Sequence, residues 1–240
     1  MQTKHSQKIR RMVVLAMFAA LAYVVMLVIH IKVPPFLTLD VKDTVITLCG
    51  LYFGPLAALL ISVLVPVLEL TVSDTGWYGL VMNILGSAAF SVTASLIYKW
   101  KKTLSGAITG LVSAVFVMTG VMLLANLFIT PYYMGVAVAD VRAMIPALLL
   151  PFNLIKAVLN VGLVLLLYKH IGLALRKAGF LPRKAISASE MGVDEGEGAL
   201  APQRTVFWRT AAVSAMAVLL IAVSMVVIFV VLDGSFGFGA

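Results

Sequence analysis

Apolar residues run along this chain in blocks of about 20, separated by short polar breaks, and that pattern predicts a bundle of membrane-spanning helices. The first block extends from residue 12 to about 31, behind a basic segment at 4–11. It is longer than the apolar region of a signal peptide and lacks a convincing small-residue cleavage site, so a retained helix is expected. A polar, proline-containing break over 32–43 precedes an apolar stretch over 44–70 that is too long for one ordinary span. Gly50, Gly54 and Pro55 divide it, because glycine suits a helix end and proline a first turn. Two short helices, about 44–53 and 55–70, follow from that division. Further spans are predicted over 78–98, 106–129 and 147–169, which makes six helices by residue 170.

Residues 183–205 lack apolar periodicity and have the composition of a mobile linker, with Ser187, Ser189, Asp194, Glu195, Gly196, Glu197, Gly198 and Pro202. A seventh apolar run covers 207–232, with Arg204 and Arg209 at its start, before a glycine-rich tail over 234–240. The expected organisation is a six-helix membrane domain over 1–178, a cytoplasmic linker over 179–206, and an added span with a short external tail over 207–240. No internal repeat is visible.

Composition makes lipid the solvent. The chain has 240 residues, 62% hydrophobic and 12% charged, which is more apolar surface than a soluble core of this size buries. The net charge of +8 comes from Lys and Arg at the ends of apolar runs, which argues for headgroup contact and against nucleic acid. Cys49, the single cysteine, sits in an apolar run and reads as a small packing residue. Cytoplasmic loops are enriched in Lys and Arg, which places the N-terminus inside. Lys99, Lys101 and Lys102, and then Lys169, Arg176, Lys177, Arg183 and Lys184, also fall inside if the 44–70 stretch is two helices. The C-terminal tail then emerges outside. Asp40, Lys42 and Asp43, Glu69 and Asp74, and Asp140 and Arg142 fall in external loops, so no deeply placed carboxylate is expected.

The chemistry concentrates in Leu150-Pro151-Phe152-Asn153-Leu154-Ile155-Lys156, with Asn160 following. A lysine at the centre of a span costs roughly 2.5–3.5 kcal/mol. Lys156 lies about 20 Å along a helix from Lys169 at the inner end, too far to snorkel there. Asn153, Lys156 and Asn160 are spaced i, i+3 and i+7, which puts them on one helical face directed at the bundle or a cavity. A bland reading stays open, in which Lys156 pairs with an external acid such as Asp140 and the asparagines join helices. Asn126 and Asn83 are further amides in apolar surroundings, suited to the edge of a heterocycle that both donates and accepts hydrogen bonds. The first loop, with Pro34, Pro35, Phe36, Leu37 and Asp40, suits a lid and equally a stiff surface connection.

In order and spacing, several segments resemble riboflavin-binding S components, of the RibU type, of energy-coupling-factor (ECF) transporters. They are Pro35-Phe36-Leu37 with Leu39-Asp40 and Asp43; Phe53-Gly54-Pro55-Leu56; Lys101-Lys102-Thr103-Leu104 with Gly106; and the motif from Leu150 to Lys156 with Asn160. The similarity covers roughly residues 8–178, and the last motif is its specific part. It implies an all-α integral membrane protein, a six-helix S-component bundle to which this chain appends one C-terminal transmembrane helix. It further implies riboflavin as transported ligand and no cofactor. The partners implied are a transmembrane coupling subunit and two ATPase subunits. By the same resemblance, Asn153, Lys156 and Asn126 contact the flavin, with Phe36, Leu37 and Asp40 from the first loop. Ala16 and Ala20 match the family's Ala-x-x-x-Ala partner-binding pattern on the first helix.

No G-x-x-x-x-G-K-[ST] phosphate loop occurs, so energy for transport must come from a partner. His5, His30 and His170 lie at membrane edges and no cluster of His, Asp and Glu is present, which argues against an enzyme. An S component for another vitamin or a flavin nucleotide (FMN or FAD), and a membrane assembly protein without a small-molecule ligand, remain as alternatives.

Overall fold

The computed structural model describes residues 4–181, 203–231 and 235–236. The expected linker at 179–206 lies mostly outside them, as does most of the glycine-rich tail.

Helix α1 (Lys4–Val28) ends three residues earlier than its apolar run, because the chain turns into a hairpin of β1 (His30–Val33) and β2 (Leu37–Asp40). The signal is a change of period: Ile31 and Val33 are buried while Lys32 between them is exposed, the alternation of a strand. The hairpin pairs His30 with Asp40 and Val33 with Leu37 around Pro34, Pro35 and Phe36, and the Pro34–Pro35 peptide is cis.

Helices α2 (Lys42–Phe53) and α3 (Pro55–Glu69) follow, divided at Gly54, whose φ of 97° is open to glycine and costly for other residues. Residues 42–51 of α2 are all buried, since α1, α3, α4 and α7 surround it. Such a helix has no polar face to show, and its hydroxyls bond inward: Thr44 to Asn160 at 2.7 Å and Thr47 with Ser91 at 2.9 Å.

Helices α4 (Gly76–Trp100) and α5 (Leu104–Met134) form an antiparallel pair. The last helix of the six-helix unit starts earlier than its apolar run, as α6 (Val138–Met144). It passes through a π-helical turn (Ile145–Leu149) and continues as α7 (Leu150–Lys177). Pro146 within that turn and Pro151 just after it lack the amide protons a regular α-helix needs, so a wider turn is tolerated there. Helix α8 (Gln203–Val226) lies antiparallel to α7 and runs through a second π-helical turn (Val227–Val231). Beyond it β3 (Ser235–Phe236) joins the hairpin to complete a sheet of order β2-β1-β3.

Among the described residues, five helical stretches are long and apolar enough to cross a bilayer: Lys8–Val28, Gly76–Trp100, Leu104–Met134, Val138–Lys177 and Ala211–Val230. Large apolar side chains such as Phe116 and Phe128 point outward, about 70% exposed (69% and 72%), as lipid-facing residues do. Exposed Trp77 and Trp100 mark the two ends of α4, about 34 Å apart along a helix, the spacing of two interfacial aromatic belts. The protein is a multi-pass membrane protein. One end of the bundle carries the hairpin, the α3–α4 turn and the start of α7. At the other, Arg11 donates to the carbonyl of Phe53 and shares a recess with Lys99 and Lys102, while Arg10 donates to the carbonyl of Ala178.

Candidate functional site

At the hairpin end, α4, α5, α7, the start of α2 and the hairpin line a cavity of about 110 Å³. Met82, Met118, Met122, Ile129 and Phe152 supply apolar, adaptable walls. Phe36 from the hairpin, Tyr78 from α4 and Tyr133 from α5 form an aromatic rim, with ring centroids 6.4 Å apart for Phe36–Tyr133 and 6.0 Å for Tyr78–Tyr133.

The polar groups come from four elements. Asn153 and Lys156 project from successive turns of α7, just past the π-helical turn, and Asn153 Nδ2 donates to the Leu149 carbonyl at 2.7 Å. That bond fixes the amide and leaves its oxygen without a protein donor among the described residues. On α5, Asn126 donates to Met122 O at 2.7 Å and accepts from Thr130 at 2.9 Å, so both its groups are oriented and one N–H remains. On α4, Asn83 accepts from Lys42 Nζ at 3.2 Å. At the start of α2, Asp43 accepts from the Ser87 hydroxyl.

Beneath these lies a buried ionic network. Asp40 Oδ2 receives Lys156 Nζ at 3.0 Å and Lys42 Nζ at 3.2 Å, and Lys42 also reaches Glu69 at 2.6 Å. Lys42 is fully buried, and Asp40 is 2% exposed. Burial alone would push the Asp40 carboxyl up, but the ammonium groups of Lys156 and Lys42 outweigh it and hold it well below the usual carboxylate range. With Asp43, three carboxyls face two ammonium groups, so the cavity floor carries no surplus of positive charge.

An apolar cavity rimmed by aromatics, floored by oriented amides and bordered by a hairpin suits a flat, neutral, hydrogen-bonding molecule. Comparison with known proteins agrees in kind. The description "ECF transporter, substrate-specific component" matches residues 10–168. The chain belongs to that family. It is 32% identical over 188 residues to the riboflavin transporter RibU of Staphylococcus aureus (strain TCH60), covering 74% of this chain and 95% of the relative. It is 26% identical over 163 residues to the riboflavin transporter FmnP of Bacillus subtilis (strain 168), covering 63% of this chain and 86% of that protein. A solved structure described as the S component of a bacterial ECF transporter superposes with a TM-score of 0.61 at 31% identity, over 70% of this chain and 99% of its own. Membership makes the protein a transporter's substrate-binding component and not an enzyme.

Within this S component, six of the residues singled out from sequence meet at one cavity: Asn153, Lys156, Asn126, Asn83, Phe36 and Leu37. Two others fall elsewhere. Asn160 is sealed from the cavity, accepting from Thr44 and donating to the Lys156 carbonyl at 2.9 Å, because α2 packs directly against that turn of α7. Asp40 faces an adjoining recess that shares Thr38, Thr75 and Asn83 with the cavity, and reaches the site through Lys156 and, by way of Lys42, through Asn83. Asp40, Asp43 and Glu69, expected in external loops, are buried carboxylates, because the hairpin folds back over them. Asp140 does not pair with Lys156; it accepts from the backbone N–H of Ala137 at 3.1 Å and caps α6.

Sequence reasoning missed Asp43, Ser87, Thr130, Tyr78 and Tyr133. Helical spacing held a signal for two of them, since Ser87 is one turn from Asn83 and Thr130 one turn from Asn126. Ala16 and Ala20 are exposed on one face of α1, away from the cavity.

Proposed function

We propose that this S component captures riboflavin from outside the cell and delivers it inward together with an ATP-driven energising module, a transmembrane coupling subunit with two ATPase subunits. The observation that carries this reading is the convergence of Lys156, Asn153 and Asn126 on one apolar, aromatic-rimmed cavity. Riboflavin has a flat ring with a carbonyl and imide edge, and the Asn153 oxygen, the Asn126 amide and the Lys156 ammonium group complement that edge. The relatives named above as riboflavin transporters support the same ligand.

Charge favours the uncharged flavin over a flavin nucleotide. Lys156 is already engaged by Asp40, and Asp43 adds a carboxyl to the lining, so a phosphate would enter a site without a free cation among the described residues. Clustering of Arg10, Arg11, Lys99, Lys101 and Lys102 at the far end supports a cytoplasmic position for it, with the cavity mouth outside.

The test is titration of purified protein with riboflavin, followed by flavin fluorescence quenching. Asn153→Ala and Lys156→Met should each weaken binding about 10- to 100-fold, the effect of removing a buried hydrogen bond to a ligand. FMN should compete at least about tenfold more weakly than riboflavin. Unchanged affinity in both variants would remove the basis of the site assignment.

A further inference from the structure

We propose that the C-terminal segment, α8 with β3, is a positioning element of the ligand site: it holds the hairpin over the cavity and thereby sets how long a captured flavin stays. This rests on the flavin-capture reading. The family match ends at residue 168, ahead of α8, so this is a feature added to the shared fold.

Helix α8 packs closely against α7. A Cβ at Gly162 would lie 3.0 Å from the Ala217 carbonyl oxygen and 3.0 Å from Ile221 Cγ1, so the two helices approach at backbone distance. Ala217 is fully buried there. Toward the hairpin end, Ile228 is also fully buried, in a small core with Ile31, Val33, Leu39 and Val41 from the hairpin region and Phe152 and Leu159 from α7. The hairpin's apolar face therefore rests partly on the end of this C-terminal helix. β3 then pairs antiparallel with β1, Ile31 opposite Phe236 and Lys32 opposite Ser235, which makes β1 the central strand of three. A lone two-stranded hairpin is marginally stable, and a third strand plus an apolar underside gives it a fixed position.

That position matters to the ligand. Phe36, Leu37 and Thr38 of the hairpin line the cavity, and Asp40 at its end holds Lys156. The elements on which α8 and β3 chiefly pack, α7 and β1, are those that carry Lys156 and the cavity's cover. A segment with those contacts governs opening of the hairpin, and so both entry and release of the ligand.

The experiment uses the full chain with Ser235→Pro, which removes a backbone donor and adds a ring beside Lys32. Hydrogen exchange of the amides over 30–40 is measured without ligand, and riboflavin dissociation by stopped flow. Faster exchange of the hairpin and a dissociation rate raised about five- to tenfold are expected, the effect of one or two lost backbone hydrogen bonds. A second variant, Lys32→Cys with Ser235→Cys, should slow dissociation below the wild-type rate when oxidised and return to it on reduction. Hairpin exchange unchanged by Ser235→Pro overturns the positioning role, and so does a dissociation rate indifferent to both variants. A wild-type protein that binds no riboflavin overturns the flavin reading instead, and the exchange measurement still decides the positioning role.

Discussion

Asp40 sits between two ammonium groups that have almost no access to water, and its carboxylate is what makes a buried Lys156 tolerable. Removing one partner of a buried ionic network leaves charge uncompensated, at a cost of about 3–5 kcal/mol. Asp40→Asn should therefore lower the thermal midpoint in detergent strongly. Adding Lys156→Met removes the ammonium group whose ion-pair partner was lost and returns the cluster to its original net charge, since one group of each sign is then gone. The double variant should recover most of the lost stability, measured by the same melt, while riboflavin affinity stays weak. Recovery of both together would mean that Lys156 serves the fold and not the ligand. The identity of Lys156 as the unusual residue was legible from its depth in an apolar run. Its partner was not, because Asp40 is 116 positions away in the chain and reads as a loop acid until the hairpin folds over it.

Gly54 is the hinge on which the arrangement of α2 and α3 depends. Its φ of 97° lets the chain reverse between two helices with no added loop, and the helices then run back through the bundle side by side. Alanine at that φ costs about 1–2 kcal/mol. Gly54→Ala should lower the melting temperature while leaving riboflavin affinity unchanged, since the turn lies at the end of the bundle remote from the cavity. A large loss of affinity would show that strain at this turn reaches the site. The break at Gly54-Pro55 was visible in the sequence because both residues act locally. The π-helical turn was not visible. Pro146 and Pro151 mark where α-helical bonding fails, but whether the chain kinks, breaks or widens there depends on what packs around it.

Ala16 and Ala20 lie one turn apart on an exposed face of α1, with no cavity beneath them and no role in the core. Small residues at that spacing allow a second helix to approach closely. On the proposed transport cycle, Ala16→Trp should abolish riboflavin uptake in cells that supply the energising module while the purified variant binds riboflavin normally; intact uptake would move the partner surface elsewhere. Orientation can be tested on the same cells. A membrane-impermeant maleimide should label Asp74→Cys, whose side chain is 76% exposed at the cavity end, in intact cells. Lys101→Cys, at the basic end, should react only after permeabilisation. The opposite pattern would invert the proposed topology.

Sequence alone determined that lipid is this protein's solvent, how its apolar runs divide into helices, and which turn of one helix holds an ammonium group flanked by amides. Those properties follow from length, period and local backbone preference, which act within a few residues. Tertiary structure decided that six of the chosen side chains share one cavity, that Asn160 serves α2 instead, and that Asp40 is a counter-ion. It also decided that the C-terminal strand completes the hairpin sheet. Each of these depends on which distant segments come into contact, and in a bundle whose helices are nearly all apolar, hydrophobic pattern alone does not distinguish one neighbour from another.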